Sequence, residues 1–441
     1  MVCYPYSVFP GTQVRFSRHF VLLTPIALAA GLLVTIATAS ASDSQWTPIG
    51  AQQPGGRDRP VWSIAVSPTH SATLLAATQG RGILRSTDSG ATWTSAIPAV
   101  DNAWVVRFDA QHPTTAYAGT QTAGLYKSID EGKTWTAQNQ GLTNLDVRSI
   151  DIGGGLVIVG TAQGVFYSDD AATSWHDLGL DNLSIGAVAV LPKSNGVSIF
   201  AGADNGPSGA GYLYKDEGVA TSWSTVKGSF PGDAVVAALA VGSAPSGGTD
   251  PPVIAGTSQG LFRSDDRGAT WTLVGGLPTT DFNLVLFNPA NPDQIYAGSD
   301  GDQANGGVFR SLDRGASWTT FGAGLPAKPR VTALALLPLN PAQVVAATWN
   351  PTDGSAGAYR IADPAATVAG VTPTTAPGAT ATTPAAPRLK VPAVTTRVQP
   401  SRGTLAYQPY AVAVVALLAL GAVVILRRWR IRREDRRTYA P

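Results

Sequence analysis

Residues Ser86 to Trp93 read STDSGATW, and the phrase keeps returning along the chain. It recurs as SIDEGKTW ending at Trp135, SDDRGATW ending at Trp271 and SLDRGASW ending at Trp318. Looser copies, SDDAATSW and KDEGVATSW, end at Trp175 and Trp223. The residues just before each copy repeat as well: GILRS, GLYKS, GVFYS, GLFRS and GVFRS. With Trp46, seven tryptophans (46, 93, 135, 175, 223, 271 and 318) stand 47, 42, 40, 48, 48 and 47 residues apart. A period of about 40–50 residues signals a propeller or a solenoid.

Each unit has an apolar first strand such as VWSIAV (61–66), and a second ending in small residues such as TAYAGT (115–120). A third of the GVFRS type leads into the Asp phrase, and a fourth runs from the Trp towards a Gly-Leu pair. Four short strands separated by Gly, Asp, Asn and Pro turns describe one propeller blade. Units begin near 60, 103, 146, 185, 234, 282 and 330. The seventh ends at Asp363 without a Trp strand, and the orphan Trp46 segment lacks a beginning. Pairing the two ends completes a seventh blade and leaves no free sheet edge. The expected fold is all-β, a seven-bladed β-propeller over residues 42–363, with the ring closed by the N-terminal strand.

The phrase itself reads as a hairpin turn. Asp bonds backbone N–H groups ahead of it, and Gly supplies positive φ. The indole offers an apolar face to the neighbouring sheet and an N–H to a carbonyl. On these residues the chain resembles the Asp-box, or bacterial neuraminidase repeat, propellers over residues 46–363. Sialidases, two-propeller xyloglucanases, sortilin-type sorting receptors and the photosystem II assembly factor family share this repeat. The resemblance implies that the box is a structural turn at the blade periphery. Asp88, Asp130, Asp170, Asp266 and Asp313, with Trp46, Trp93, Trp135, Trp175, Trp223, Trp271 and Trp318, are then scaffold. So are the repeating cations Arg85, Lys127, Arg263, Arg310 and Arg360.

Outside the repeats the composition changes. Residues 1–41 read as a secretory signal, with an apolar run from Phe20 and a small-x-small site at Ala39-Ser40-Ala41. The run is longer than a usual signal core, so an uncut signal anchor is the alternative. Residues 364–409 are rich in Pro, Thr and Ala and predict an unfolded stalk. Residues 410–426 are 17 apolar residues, at the lower limit for a membrane-spanning helix. The tail 427–441 carries seven Arg, which places it on the cytoplasmic side.

Charge narrows the function. Residues 42–363 hold 18 Lys and Arg against 27 Asp and Glu, a balance of −9. An acidic body argues against nucleic-acid binding. The single cysteine, Cys3, precedes the first apolar run, so no disulfide or cysteine nucleophile is expected in the body. Four histidines in no cluster predict no metal and no cofactor.

A sialidase needs three arginines, a tyrosine nucleophile and a glutamate to activate it, and the resemblance implies an Arg-Ile-Pro phrase that is absent here. Glu131, Glu217 and Glu434 are the chain's only glutamates, two within box positions and one in the tail. A glycosidase with paired aspartates is harder to exclude, although xyloglucanases clamp their substrate between two propellers.

Function is expected in loops that do not repeat. Three second-to-third-strand loops are long: 203–211, 300–307 and 349–357. The candidate binding residues there are Asp204, Asp300, Asp302, Trp349, Asn350 and Asp353. The expected role is a membrane-anchored, extracytoplasmic module that binds a protein or a glycan; the alternative is a surface glycoside hydrolase.

Overall fold

The computed structural model describes residues 45–49, 59–97, 100–204, 212–244, 250–278, 281–300 and 306–366. The segments 1–41, 367–409, 410–426 and 427–441, and Asp302, lie outside them. The strands form seven four-stranded antiparallel sheets, the blades of a β-propeller. No helix among the described residues is long and apolar enough to cross a membrane. The first strands are Val61–Val66, Ala103–Phe108, Val147–Gly153, Ile185–Lys193, Val236–Val241, Phe282–Asn288 and Arg330–Leu337. They stand side by side around a central channel. Blades are numbered 1 to 7 in that order.

Ring closure joins the two ends of the repeat region. Thr47 pairs with Arg360 and Pro48 with Tyr359, so the N-terminal strand becomes the fourth strand of blade 7. Trp46 is 3% exposed, and its indole N–H donates to the Phe321 carbonyl at 2.9 Å. Its backbone N–H donates to Ala323 at 2.8 Å. The first strand in sequence thus ties blade 6 to blade 7.

Seven apolar clusters hold the ring, each spanning a pair of neighbouring blades. The second strands are buried throughout in blades 1, 2 and 5, where they read LLAAT, AYAGT and VIAGT. Their small residues let the sheets approach, as close packing demands. A Cβ added at Gly119 would lie 2.6 Å from the Val147 carbonyl oxygen, and one at Gly256 2.6 Å from that of Phe282. These glycines seat the start of the next blade's first strand against the preceding sheet.

The repeated phrase forms one turn five times. The Ser86 hydroxyl donates to Asp88 at 2.8 Å and accepts the Gly90 N–H at 2.9 Å. Asp88 accepts the Thr92 N–H at 2.8 Å and the Thr92 hydroxyl at 2.5 Å. The same bonds recur around Asp130, Asp170, Asp266 and Asp313. Two successive residues adopt positive φ, Ser89 at 57° and Gly90 at 85°, which is why glycine recurs there. The indole N–H of Trp93 closes the turn on the Gly90 carbonyl at 3.0 Å. In blade 3, where Ala172 replaces the glycine, Trp175 donates instead to Gln138 of blade 2.

These bonds favour the charged carboxylate. Hydrogen bonds from the hydroxyl and then the backbone of Thr92 bring Asp88 down to about 2. At Asp130 burial acts the other way, but bonds from Thr134 and Ser128 prevail and also bring it to about 2.

The repeating cations cross the seams. Arg85 donates to the Glu131 carbonyl at 2.8 Å and Lys127 to the Ala171 carbonyl at 2.7 Å. Arg263 donates to the Arg314 carbonyl. Each acceptor is the first positive-φ residue of the next blade's turn. Blade 7 has no such turn, and there Arg310 meets the fully buried Asp363 at 2.7 Å. Tyr296 and Gln294 donate to the same carboxylate.

Candidate functional site

The first strand of every blade carries an irregularity near its start in its pairing with the second, and blade 6 has another at Phe287/Asn288. The register shifts between Val61 and Ser63, Ala103 and Val105, Val147 and Ser149, and Ile185 and Ala187. It shifts likewise between Val236 and Ala238, Phe282 and Leu284, and Val331 and Ala333. A β-bulge leaves one residue unpaired and re-aims its side chain. The seven bulged residues are Trp62, Trp104, Arg148, Gly186, Ala237, Asn283 and Thr332, and all seven line the channel. They sit at the end from which the second-to-third-strand loops emerge. The repeated turns close the third-to-fourth hairpins at the opposite end.

This ring is where the repeats stop repeating. Blades 1 to 3 contribute two tryptophans and an arginine, whereas blades 4 and 5 contribute glycine and alanine. The channel behind it has a volume of about 740 Å³. Its wall beyond the ring carries Ile150, Val188, Leu239 and Val285, together with the polar Ser63, Arg107 and Ser149. That is within the size range of small-ligand sites.

Three indoles gather at the mouth. Trp62 lies 5.7 Å from Trp104 at 52° between planes, and 5.8 Å from Trp349 at 72°. Trp349 ends the second strand of blade 7 (Ala342–Trp349) and reaches blade 1 across the closing seam. The Arg330 guanidinium stands 5.7 Å from the Trp349 ring centroid and pairs with Asp300.

On the other side Trp104 donates to Asp146 at 2.8 Å, and Arg148 pairs with the same carboxylate at 2.9 Å. Arg148 also lies 3.4 Å from Asp204, which accepts the Ser184 hydroxyl at 2.9 Å. The inner mouth therefore sets three carboxylates, Asp146, Asp204 and Asp300, against two guanidinium groups. Two buried polar atoms of the ring have no hydrogen-bond partner among the described residues: the Trp62 Nε1 and the Thr332 Oγ1. Thr332 is 7% exposed.

Of the residues singled out from sequence, Trp349, Asp300 and Asp204 meet at this mouth through Arg330, Trp62 and Arg148. Asn350 and Asp353 do not join them. Asn350 accepts the Thr352 N–H at 2.9 Å within its own loop. Asp353 is exposed and accepts the Ser355 N–H at 2.8 Å. Hydrogen bonds from the Ser355 side chain and backbone hold its carboxyl below the ordinary value.

Sequence reasoning missed Trp62, Trp104, Arg148, Arg330 and Thr332. The signal was present in part: Trp62 and Trp104 occupy equivalent strand positions and break the period of the turn tryptophans. Among the described residues no group of three His, Cys, Asp or Glu is placed to hold a metal ion.

No protein-family model matches the chain, and no curated protein matches it. Solved structures do. YCF48 from Cyanidioschyzon merolae is 13% identical, with a TM-score of 0.53 over 73% of this chain and 100% of that one. A structure of YCF48 bound to D1 peptide matches at 14% identity and a TM-score of 0.50, over 72% and 96%. The GH74 xyloglucanase from Xanthomonas campestris is 17% identical, with a TM-score of 0.52 over 71% of this chain and 55% of that chain. The chain spans 34% to 55% of the length of the GH74 enzymes it resembles. At these identities the likeness is one of fold, and the chain is a seven-bladed β-propeller similar in architecture to YCF48 and to GH74 enzymes.

Proposed function

We propose that the protein is a binding module of the Asp-box type that uses the channel mouth to hold a macromolecular partner outside the cell. The observation that carries this reading is the bulge ring. Seven equivalent positions hold six different residue types, and three indoles converge at the mouth they frame. Interaction sites concentrate tryptophan and arginine in this way. The solved YCF48 complex supports the reading, because that propeller is bound to a peptide. The signal at 1–41, the stalk 364–409 and the span 410–426 support a propeller held extracytoplasmically on a single membrane helix.

A second reading, glycoside hydrolysis, draws on the GH74 likeness. It needs one carboxyl group able to give up a proton and a second facing it across the sugar. Asp146, Asp204 and Asp300 each lie within ion-pair distance of a guanidinium group, so none of them faces the channel as an uncommitted carboxyl group. The binding reading is the better supported.

The test is to probe peptide and oligosaccharide arrays with the full-length protein and its Trp349→Ala variant, while assaying release of reducing sugar. Binding lost in the variant, with no sugar released, supports the module. Sugar release abolished by Asp300→Asn supports the enzyme. N-terminal sequencing of the mature protein tests the signal.

A further inference from the structure

We infer that the channel mouth recognises an extended peptide segment, gripping one backbone amide at the ring and taking an apolar side chain into the channel. This rests on the reading of the mouth as a binding site and names its ligand. Trp62 and Thr332 belong to blades 1 and 7, neighbours across the closing seam, at the same position of the ring. Each has a buried polar atom without a partner among the described residues. Groups in that state destabilise a fold unless something satisfies them. The indole can only donate, whereas the hydroxyl can also accept. A ligand carbonyl suits the indole, and a ligand N–H or carbonyl suits the hydroxyl.

The shape and charge point the same way. The three indoles are set obliquely, and Trp349 already carries the Arg330 guanidinium on its ring. They frame a cleft more than they offer an uncovered plane for a sugar ring. Below them Ile150, Val188, Leu239 and Val285 form an apolar stretch of wall, beside the polar Ser63, Arg107 and Ser149, that suits a leucine-sized or aromatic side chain better than a run of sugar hydroxyls. Three carboxylates against two guanidinium groups leave the mouth one negative charge in excess. The segment it fits therefore carries a Lys or Arg beside its apolar anchor.

The experiment uses full-length protein in detergent micelles against an array of end-blocked heptapeptides and a parallel array of neutral oligosaccharides. The tightest peptide is then titrated calorimetrically into the wild type, Trp62→Phe and Thr332→Val. Thr332→Val keeps shape and removes one hydrogen-bonding group, whereas Trp62→Phe removes the indole N–H along with one ring. We expect binders with an apolar residue next to a cation, and affinity lowered about five- to tenfold by each variant, the range of one hydrogen bond. Unchanged far-ultraviolet circular dichroism and melting establish that both variants fold. Binding of oligosaccharides without peptides overturns this inference while leaving the mouth as the site, provided Trp62→Phe weakens it. Peptide binding indifferent to both variants and to a channel-filling Ala237→Leu change overturns the inference and the reading of the mouth together. Binding of neither class overturns the inference.

Discussion

If the N-terminal strand closes the ring, removing its anchor should loosen one seam far from the rest of the molecule. The perturbation is Trp46→Ala. The side chain is 3% exposed, stands 5.9 Å from Phe321 in an edge-on contact, and donates to the Phe321 carbonyl. Truncating a buried tryptophan to alanine typically costs about 3–5 kcal/mol. Unfolding entropy near 60 °C is about 2.1 cal/mol/K per residue, or about 0.7 kcal/mol/K for a propeller of this length. The melting temperature should therefore fall by about 4–7 °C.

The loss should also be local. Hydrogen exchange read peptide by peptide should accelerate first at Tyr359 and Arg360, which pair with the N-terminal strand, and in the turn after Phe321. Blade 3, half a ring away, should keep its protection. A melting temperature unchanged within about 1 °C, or loss of protection spread evenly over the blades, would refute the reasoning.

Other predictions follow from the same contacts. Thr332→Val removes a buried hydroxyl that has no partner among the described residues, so without ligand it should be neutral or stabilise by about 1 kcal/mol in denaturant unfolding. Asp363→Ala leaves Arg310 without its buried partner and strips Tyr296 of its acceptor; a loss of about 3–5 kcal/mol is expected by the same assay. The turn carboxylates set the acid limit. Asp88 and Asp130 are held at about 2, below the ordinary 3.8, and Asp266 and Asp313 are lowered too. Because the folded value lies below the unfolded one, their stabilisation is complete above about pH 4 and drains away as pH falls towards 2. Melting temperature followed from pH 7 to 2 should be level and then drop, and a rise on acidification would contradict the assignment.

Blade number and closure were legible because both rest on residues that recur. STDSGATW needs its Ser, Asp, Gly and Thr to close one turn, so each copy advertises itself, and the lone Trp46 strand is conspicuous for having no turn before it. The mouth was only half legible. Trp349 stood out by falling off the period, and Asp204 and Asp300 by opening long loops. Trp62 and Trp104 were hidden inside VWSIAV and AWVVRF, which read as ordinary apolar strands. Their exposure to the channel depends on a bulge, a slip in pairing with a partner strand about fifteen residues away that no local pattern encodes. Arg148 and Arg330 look like surface charges until the ring brings Asp146, Asp204 and Asp300 around them. Aligning the seven first strands in a column would have exposed the one position that varies most in chemistry.

A functional ring and scaffolding turns are separable by mutation. Binding of the full-length protein to the array-selected peptide, measured for Trp62→Ala and Trp349→Ala at the mouth and for Asp313→Asn in a turn, tests it most directly. At a temperature where all three remain folded, the mouth variants should lose binding and the turn variant should match the wild type. Binding lost in Asp313→Asn and retained in both tryptophan variants would contradict it.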